Sequence, residues 1–240
     1  MRFPSPRSVV LLLGLLAPLA PLSAKPEAFD KLALKPNPQQ TEAARWMAQL
    51  VSNSRFHYSP QKLDDALSGQ IFDRYLESLD GDKLFLLAED VAAFEAYRAQ
   101  LDEAIIEGRL QPAFEMYNVY RQRVDERTAK VRELLKQDFD FTVDESYSFD
   151  REDAVWAQNE AELDELWRLR VKNDALRLVL AGREIDKVRE TLDKRYKNFG
   201  ERIRQIDAED VFQTFMNAYA GAIEPHTSYM NPRTSENFNI

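Results

Sequence analysis

The residues best equipped for chemistry lie near the end of the chain, in Glu224-Pro225-His226-Thr227-Ser228-Tyr229-Met230-Asn231-Pro232. One of the chain's two histidines stands there beside a Thr, a Ser and a Tyr. A serine nucleophile needs a base within hydrogen-bond reach and an oxyanion hole. Nothing around Ser228 supplies the strained Gly-x-Ser-x-Gly turn that presents such a hydroxyl. Pro225 disfavours helical geometry at Glu224, which ends the preceding helix. Pro232 bars the run from a central strand. The spacing therefore favours a structural joint over a reactive site. His226 and Ser228 are expected to hydrogen-bond to backbone groups exposed at that turn.

Other candidates give way to simpler readings. The pairs Asp64-Asp65 and Asp102-Glu103 fall on helix faces predicted to be solvated, so no catalytic carboxylate pair is assigned. His57 follows an apolar face in Arg55-Phe56-His57-Tyr58 and should satisfy carbonyls at a helix end. No second histidine or carboxylate sits at ligand spacing from it or from His226, so no metal centre is predicted. Asp80-Gly81-Asp82-Lys83 opens like a calcium loop, but the next ligand position is Leu84, which has no oxygen to offer. Lys172 and Lys187 could act as the base of a Ser-Lys pair, yet no serine stands in a suitable context. Charged helix faces explain both. Tryptophans and Phe/Tyr stripes recur at three and four, which points to core packing and not to a cofactor pocket. No catalytic residue, cofactor or metal ligand is assigned.

These residues must be positioned by helices. Apolar positions recur at helical spacing from about Gln39 to Arg55, where Trp46 shares a face with Leu50 and Met47 with Val51. Ser59-Pro60 reads as an N-cap followed by proline at the first helical position. Leu63, Leu67, Ile71, Tyr75 and Leu79 then follow at a spacing of four, a stripe wide enough for a central packing helix. Leu84 to Leu87 form an apolar tether expected to bury. Helices are predicted over Val91 to Ile105, ending at Gly108, and from Leu110 to Gln137. Alternating Phe139, Phe141 and Val143 suggest an ordered loop pinned by its aromatics. A long helical stretch is expected from Asp150 to Gly182, then one through Val188, Leu192 and Tyr196. The last carries Val211, Phe212, Phe215, Tyr219 and Ile223, with Asp207 as its N-cap. The fold class is all-α: an irregular bundle of about seven helices with an extended C-terminal segment.

Composition fits this reading. Of 240 residues, 44% are hydrophobic and 30% charged, which is globular, and seven glycines are few for a turn-rich β fold. The formal charge of -9 repels phosphate backbones and anionic membrane surfaces, so nucleic acid and membrane are not expected partners. The absence of cysteine excludes disulfides, thiolate metal sites and a cysteine nucleophile. Arg2 and Arg7, the apolar run Val9 to Ala17, and Leu22-Ser23-Ala24 read as a signal peptide cleaved after Ala24. Such a leader directs export to the periplasm. The expected organisation is a leader over 1–24, an extended lead-in over 25–38, a helical domain over 39–223 and a joint over 224–240.

Several stretches together resemble one family. Glu224-Pro225-His226-Thr227-Ser228-Tyr229 is similar to the Asp-Pro-His-Thr/Ser-Ser-Tyr segment of the tail-specific proteases, or C-terminal processing peptidases. Glu224 stands where the family usually has Asp. The likeness continues through Tyr75-Leu76-Glu77-Ser78-Leu79-Asp80, Lys83-Leu84-Phe85-Leu86 and Trp167-Arg168-Leu169-Arg170-Val171-Lys172-Asn173. It covers nearly the whole chain after residue 38. Asp80 is followed by Gly81, where the family pattern leads us to expect Pro. The resemblance implies the N-terminal helical region of the long periplasmic branch, with a PDZ domain and a Ser-Lys dyad lying beyond Ile240. It further implies a wall around the substrate path, substrates with apolar C-terminal tails, and contact with an adaptor protein. The competing readings are a free-standing periplasmic helical adaptor without catalysis and a metal-assisted enzyme built on His226.

Overall fold

Residues 33–51, 54–57 and 61–238 are described by a computed structural model, and they fold into nine helices. In chain order these are α1 (Pro38–Val51), α2 (Asp65–Asp80), α3 (Ala88–Phe94), α4 (Leu101–Glu107) and α5 (Gln111–Leu134). They continue with α6 (Glu160–Leu180), α7 (Ile185–Gln205), α8 (Ala208–Ile223) and α9 (Pro232–Phe238). No strand occurs among the described residues, where Leu87 and Ala157 form an isolated parallel bridge. The expected leader, residues 25–32 of the lead-in, Ser59-Pro60 and Ile240 fall outside the described residues.

The all-α class holds, and the helix count exceeds seven for two reasons. The stretch from Val91 to Ile105 divides into α3 and α4 around a 3₁₀ turn, Glu95–Tyr97. Pro232–Phe238 also forms a helix inside the segment expected to be extended. Asn231 starts it, since its side chain accepts from Thr234 N at 2.8 Å.

The central stripe of the sequence is the centre of the fold. Leu67, Ile71, Phe72, Tyr75, Leu76 and Leu79 of α2 are all buried. Each contributes about 1.5–3 kcal/mol on leaving water. They pack against α8, where the Tyr75 and Phe215 rings meet edge to face at 5.3 Å. Helix α2 starts at Asp65, whose neighbour Asp64 caps it by accepting from Leu67 N. The start expected at Ser59-Pro60 is therefore corrected to Asp64, and Leu63 lies before the helix. Helix α5 packs on α7 and also touches α8, with Phe114, Tyr117, Val124, Val131 and Leu135 inward as expected. Asp207 caps α8 in a reciprocal capping box with Asp210.

Helix α1 faces inward with different residues than its tryptophan suggested. It ends at Val51, and its buried side is Gln40, Ala44, Ala48 and Val51. Trp46 and Leu50 lie on the outer side, 57% and 45% exposed. Small alanines let α1 approach α4 closely, and Gly108 completes that approach. Its φ of 69° closes α4, and an added Cβ would meet Thr41 Cγ2 at 2.5 Å.

The stretch from residue 150 is not helical until Glu160, where Asn159 caps α6 by accepting from Glu162 N. The helix predicted from Asp150 is thus shortened. Ala157 accepts a backbone bond from Ala88 N at 2.9 Å, which holds this part of the chain extended. The preceding loop is ordered by side chains. Phe139 stacks on Phe141, Tyr147 meets Phe149 edge to face, and Glu145 pairs with Arg168 and Lys172 of α6.

Candidate functional site

The joint after α8 is held by carboxylate and amide side chains. Glu224 has left helical geometry, at φ -164° and ψ 134°, as Pro225 requires. Its carboxylate folds back over the turn. One oxygen accepts from His226 N at 2.9 Å and the other from the Thr227 hydroxyl at 2.9 Å. Asn217 and Gln213, one helical turn apart on α8, then accept from Tyr229 N and Asn231 N. The Tyr229 ring packs edge to face on Phe212 at 5.2 Å. From the other side, Gln61 donates to Ile223 O at 2.8 Å, covering a carbonyl that the helix end leaves open.

The predicted residues occupy this turn in different roles than expected. His226 projects outward, its side chain 90% exposed, with Nε2 at 4.0 Å from Glu224. The Ser228 side chain is exposed and makes no hydrogen bond among the described residues. The turn's backbone groups are instead satisfied by Glu224, Asn217 and Gln213. The longer side chains of Glu224, Asn217 and Gln213 reach these amides, whereas the short Ser228 side chain is exposed. His57, expected at a helix end, lies beyond α1 and places Nε2 at 3.3 Å from the Thr227 hydroxyl. The two histidines thus flank one Thr-Glu pair, a proximity that their separation in sequence concealed.

Three other stretches of the family likeness meet at a second place. Asp80 is buried at the end of α2, and its carboxylate accepts from Leu84 N, Phe85 N and Leu86 N, each at 2.9 Å. This fixes the Leu84–Leu87 tether, all of it buried as expected. Burial pushes the Asp80 carboxyl above its ordinary range, and the three amide donors oppose that shift. Lys83 takes φ 54° to make the turn. From α6, Trp167 donates its indole N–H to Leu84 O at 2.6 Å and packs on Phe85 at 5.4 Å between ring centres. The Arg170 guanidinium lies 5.1 Å over the Trp167 ring. Asp80, Leu84, Phe85, Trp167 and Arg170 therefore form one cluster.

The carboxylate pairs need one correction. Asp102 is buried, 4% exposed, and not on a solvated face. Asp65, Asp102 and Glu103 bring carboxylate oxygens within 4.8 Å of one another because α2 and α4 begin side by side. The neighbouring Asp102 side chain raises the Glu103 carboxyl, and the positive ends of both helices favour acids there. Both lysines have acidic partners: Lys187 pairs with Glu190 on the exposed face of α7, whereas Lys172 is mostly covered, 12% exposed, and pairs with Glu145 of the preceding loop.

Comparison with known proteins accounts for the shared stretches. Residues 47–233 match the family model described as the tail specific protease N-terminal domain. The chain is also 36% identical over 224 residues to a curated tail-specific protease of Haemophilus influenzae, an alignment covering 90% of this chain and 32% of the relative. The chain therefore spans about a third of the length of that relative. With the match running through α1 to α8 and into the joint, the chain belongs to the tail-specific protease family and corresponds to its N-terminal domain.

Proposed function

We propose that this chain is the N-terminal helical domain, over 39–223, of a periplasmic serine endopeptidase that degrades or trims proteins from their C-termini. Its part in that work is to wall the substrate path and to seat a PDZ domain. The Ser-Lys centre lies beyond residue 240, and no cofactor takes part. Its partners are protein substrates with apolar tails and a periplasmic adaptor, not nucleic acid. The observation that carries this reading is the joint. The chain leaves α8 through a turn whose backbone is satisfied by Glu224, Asn217 and Gln213, while His226 and Ser228 remain exposed. Acceptors on Glu224, Asn217 and Gln213 already occupy the amides of His226, Tyr229 and Asn231, which supports reading the turn as a joint. The leader supports the periplasmic assignment, and no helix among the described residues is long and apolar enough to cross a membrane.

The test is to read the gene past the codon for Ile240 and express the longer product. We expect a PDZ domain, a Ser-Lys centre and cleavage of an unfolded protein from its C-terminus. Ser228→Ala in that product should leave the rate unchanged within about twofold, as for other exposed sites. A stop codon after Ile240 would instead favour a free-standing adaptor. Cleavage that vanishes in Ser228→Ala would overturn the assignment of the joint.

A further inference from the structure

The starts of α2 and α4 lie side by side, and Ser68 fixes them there. Its hydroxyl donates to Arg98 O at 2.7 Å and accepts from Leu101 N at 2.8 Å. Three acids meet as a result: Asp65 in the first turn of α2, and Asp102 and Glu103 in the first turn of α4. Each offers a carboxylate oxygen within 4.8 Å of those of the other two. None of the three forms an ion pair among the described residues, and the cations near them are committed elsewhere. Lys62 pairs with Asp64, and Arg98 with Asp73 and Glu95. Asp102 separates this group from a patch of surface acids. It is 4% exposed, and its Oδ1 atom is buried with no hydrogen-bond partner among the described residues. A buried carboxylate oxygen with neither a donor nor a cation is costly. The helix ends do not settle the charge, since each is worth about half a positive unit against three carboxylates.

We propose that Asp65, Asp102 and Glu103 bind one calcium ion, which clamps the start of α2 to the start of α4. The donors are all carboxylate oxygens, with no imidazole or thiolate among them, and such a set suits a hard divalent cation. Oxygens on opposite sides of a calcium ion stand about 5 Å apart, and those of magnesium about 4 Å. The spacing of the three acids fits the larger shell. Asp102 supplies the buried ligand. Asp65 and Glu103 are exposed, so water reaches the remaining positions. The ion is structural. Helix α4 packs on both α1 and α2, so a clamp at its first turn holds all three together. The site takes no part in peptide-bond cleavage and stands independently of the proposed function. Its ligands are far apart in sequence, which is why ligand spacing along the chain did not reveal it.

The experiment uses the 240-residue chain, stripped with EDTA and returned to buffer of fixed ionic strength, with calcium chloride as the probe. Isothermal titration should show one saturable site with a dissociation constant of about 10⁻⁴–10⁻³ M, the range of extracellular calcium modules. At calcium about ten times that constant, the thermal midpoint should rise by about 3–6 °C. Magnesium should give a smaller rise, because it demands a tighter octahedral shell. Asp102→Asn should abolish the calcium-dependent rise, whatever it does to the calcium-free midpoint. Asp65→Asn and Glu103→Gln alter exposed side chains and should each weaken calcium about tenfold. Asp186→Asn, at an exposed acid of α7, should leave the response unchanged. Absence of saturable calcium binding, a full calcium response in both Asp65→Asn and Glu103→Gln, or an equal rise with magnesium would each overturn the site. A midpoint that ignores calcium and falls as pH rises through the raised Glu103 carboxyl would mean that a shared proton holds the acids together, and would overturn it too.

Discussion

Glu224 ends α8 and organises the turn after it, because one carboxylate reaches both the His226 amide and the Thr227 hydroxyl. The side chain is 10% exposed, and losing it would remove the acceptor of the partly buried bond from His226 N. We predict that Glu224→Ala lowers the unfolding free energy by about 1–2 kcal/mol, the cost of an unsatisfied donor. Ser228→Ala should stay within about 0.5 kcal/mol, since its hydroxyl bonds to nothing described. Urea titration of the two variants side by side checks this. Equal effects would mean that Glu224 does not hold the turn. Proline placement made the break at this point legible in the sequence. The identity of the residue satisfying the turn was not, because acceptors on α8 become neighbours only when the chain doubles back.

The loop between α5 and α6 shows how an irregular element is held. Glu145 takes Arg168 and Lys172 together, and these bonds hold its carboxyl down to about 2 from an ordinary 4.5. The group is more acidic folded than unfolded. Its stabilisation is therefore complete above the unfolded value and is lost as pH falls toward the folded one. We predict that wild type is more stable than Glu145→Gln at pH 7 and that the gap closes between about pH 4.5 and pH 2. Thermal midpoints of both proteins across that range measure it, and a gap independent of pH would rule out the charge as its source. The loop's pinning by Phe139 and Phe141 was readable from their alternation with polar residues, whereas Val143, the third apolar position, is exposed. The loop's ionic clasp was not readable, since Glu145 and Arg168 stand 23 residues apart.

At the scale of the whole molecule, Trp167 ties α6 to the Asp80 turn and to α7. It is 1% exposed, its N–H bonds to Leu84 O, and its ring meets Phe85 and Tyr196. We predict that Trp167→Phe costs about 1–3 kcal/mol, for the unpaired carbonyl and the smaller ring, and Trp167→Ala about 3–5 kcal/mol. Chemical denaturation gives both values. A loss below about 0.5 kcal/mol in Trp167→Ala would remove this residue from the centre of the packing. The sequence by itself determined the helices and their inward stripes, because a spacing of four puts Leu67, Ile71, Tyr75 and Leu79 on one face whatever surrounds them. It also determined where helices break, at Asp80-Gly81 and Glu224-Pro225, because proline, glycine and capping acids act on their own neighbours. Only the tertiary structure decided that Trp46 faces outward while Trp167 is buried, that Asp102 is covered, and that Asp80, Phe85, Trp167 and Arg202 border one cavity. Those outcomes depend on which helix faces meet, and no local pattern encodes a meeting such as that of Trp167 with Leu84, 83 positions apart.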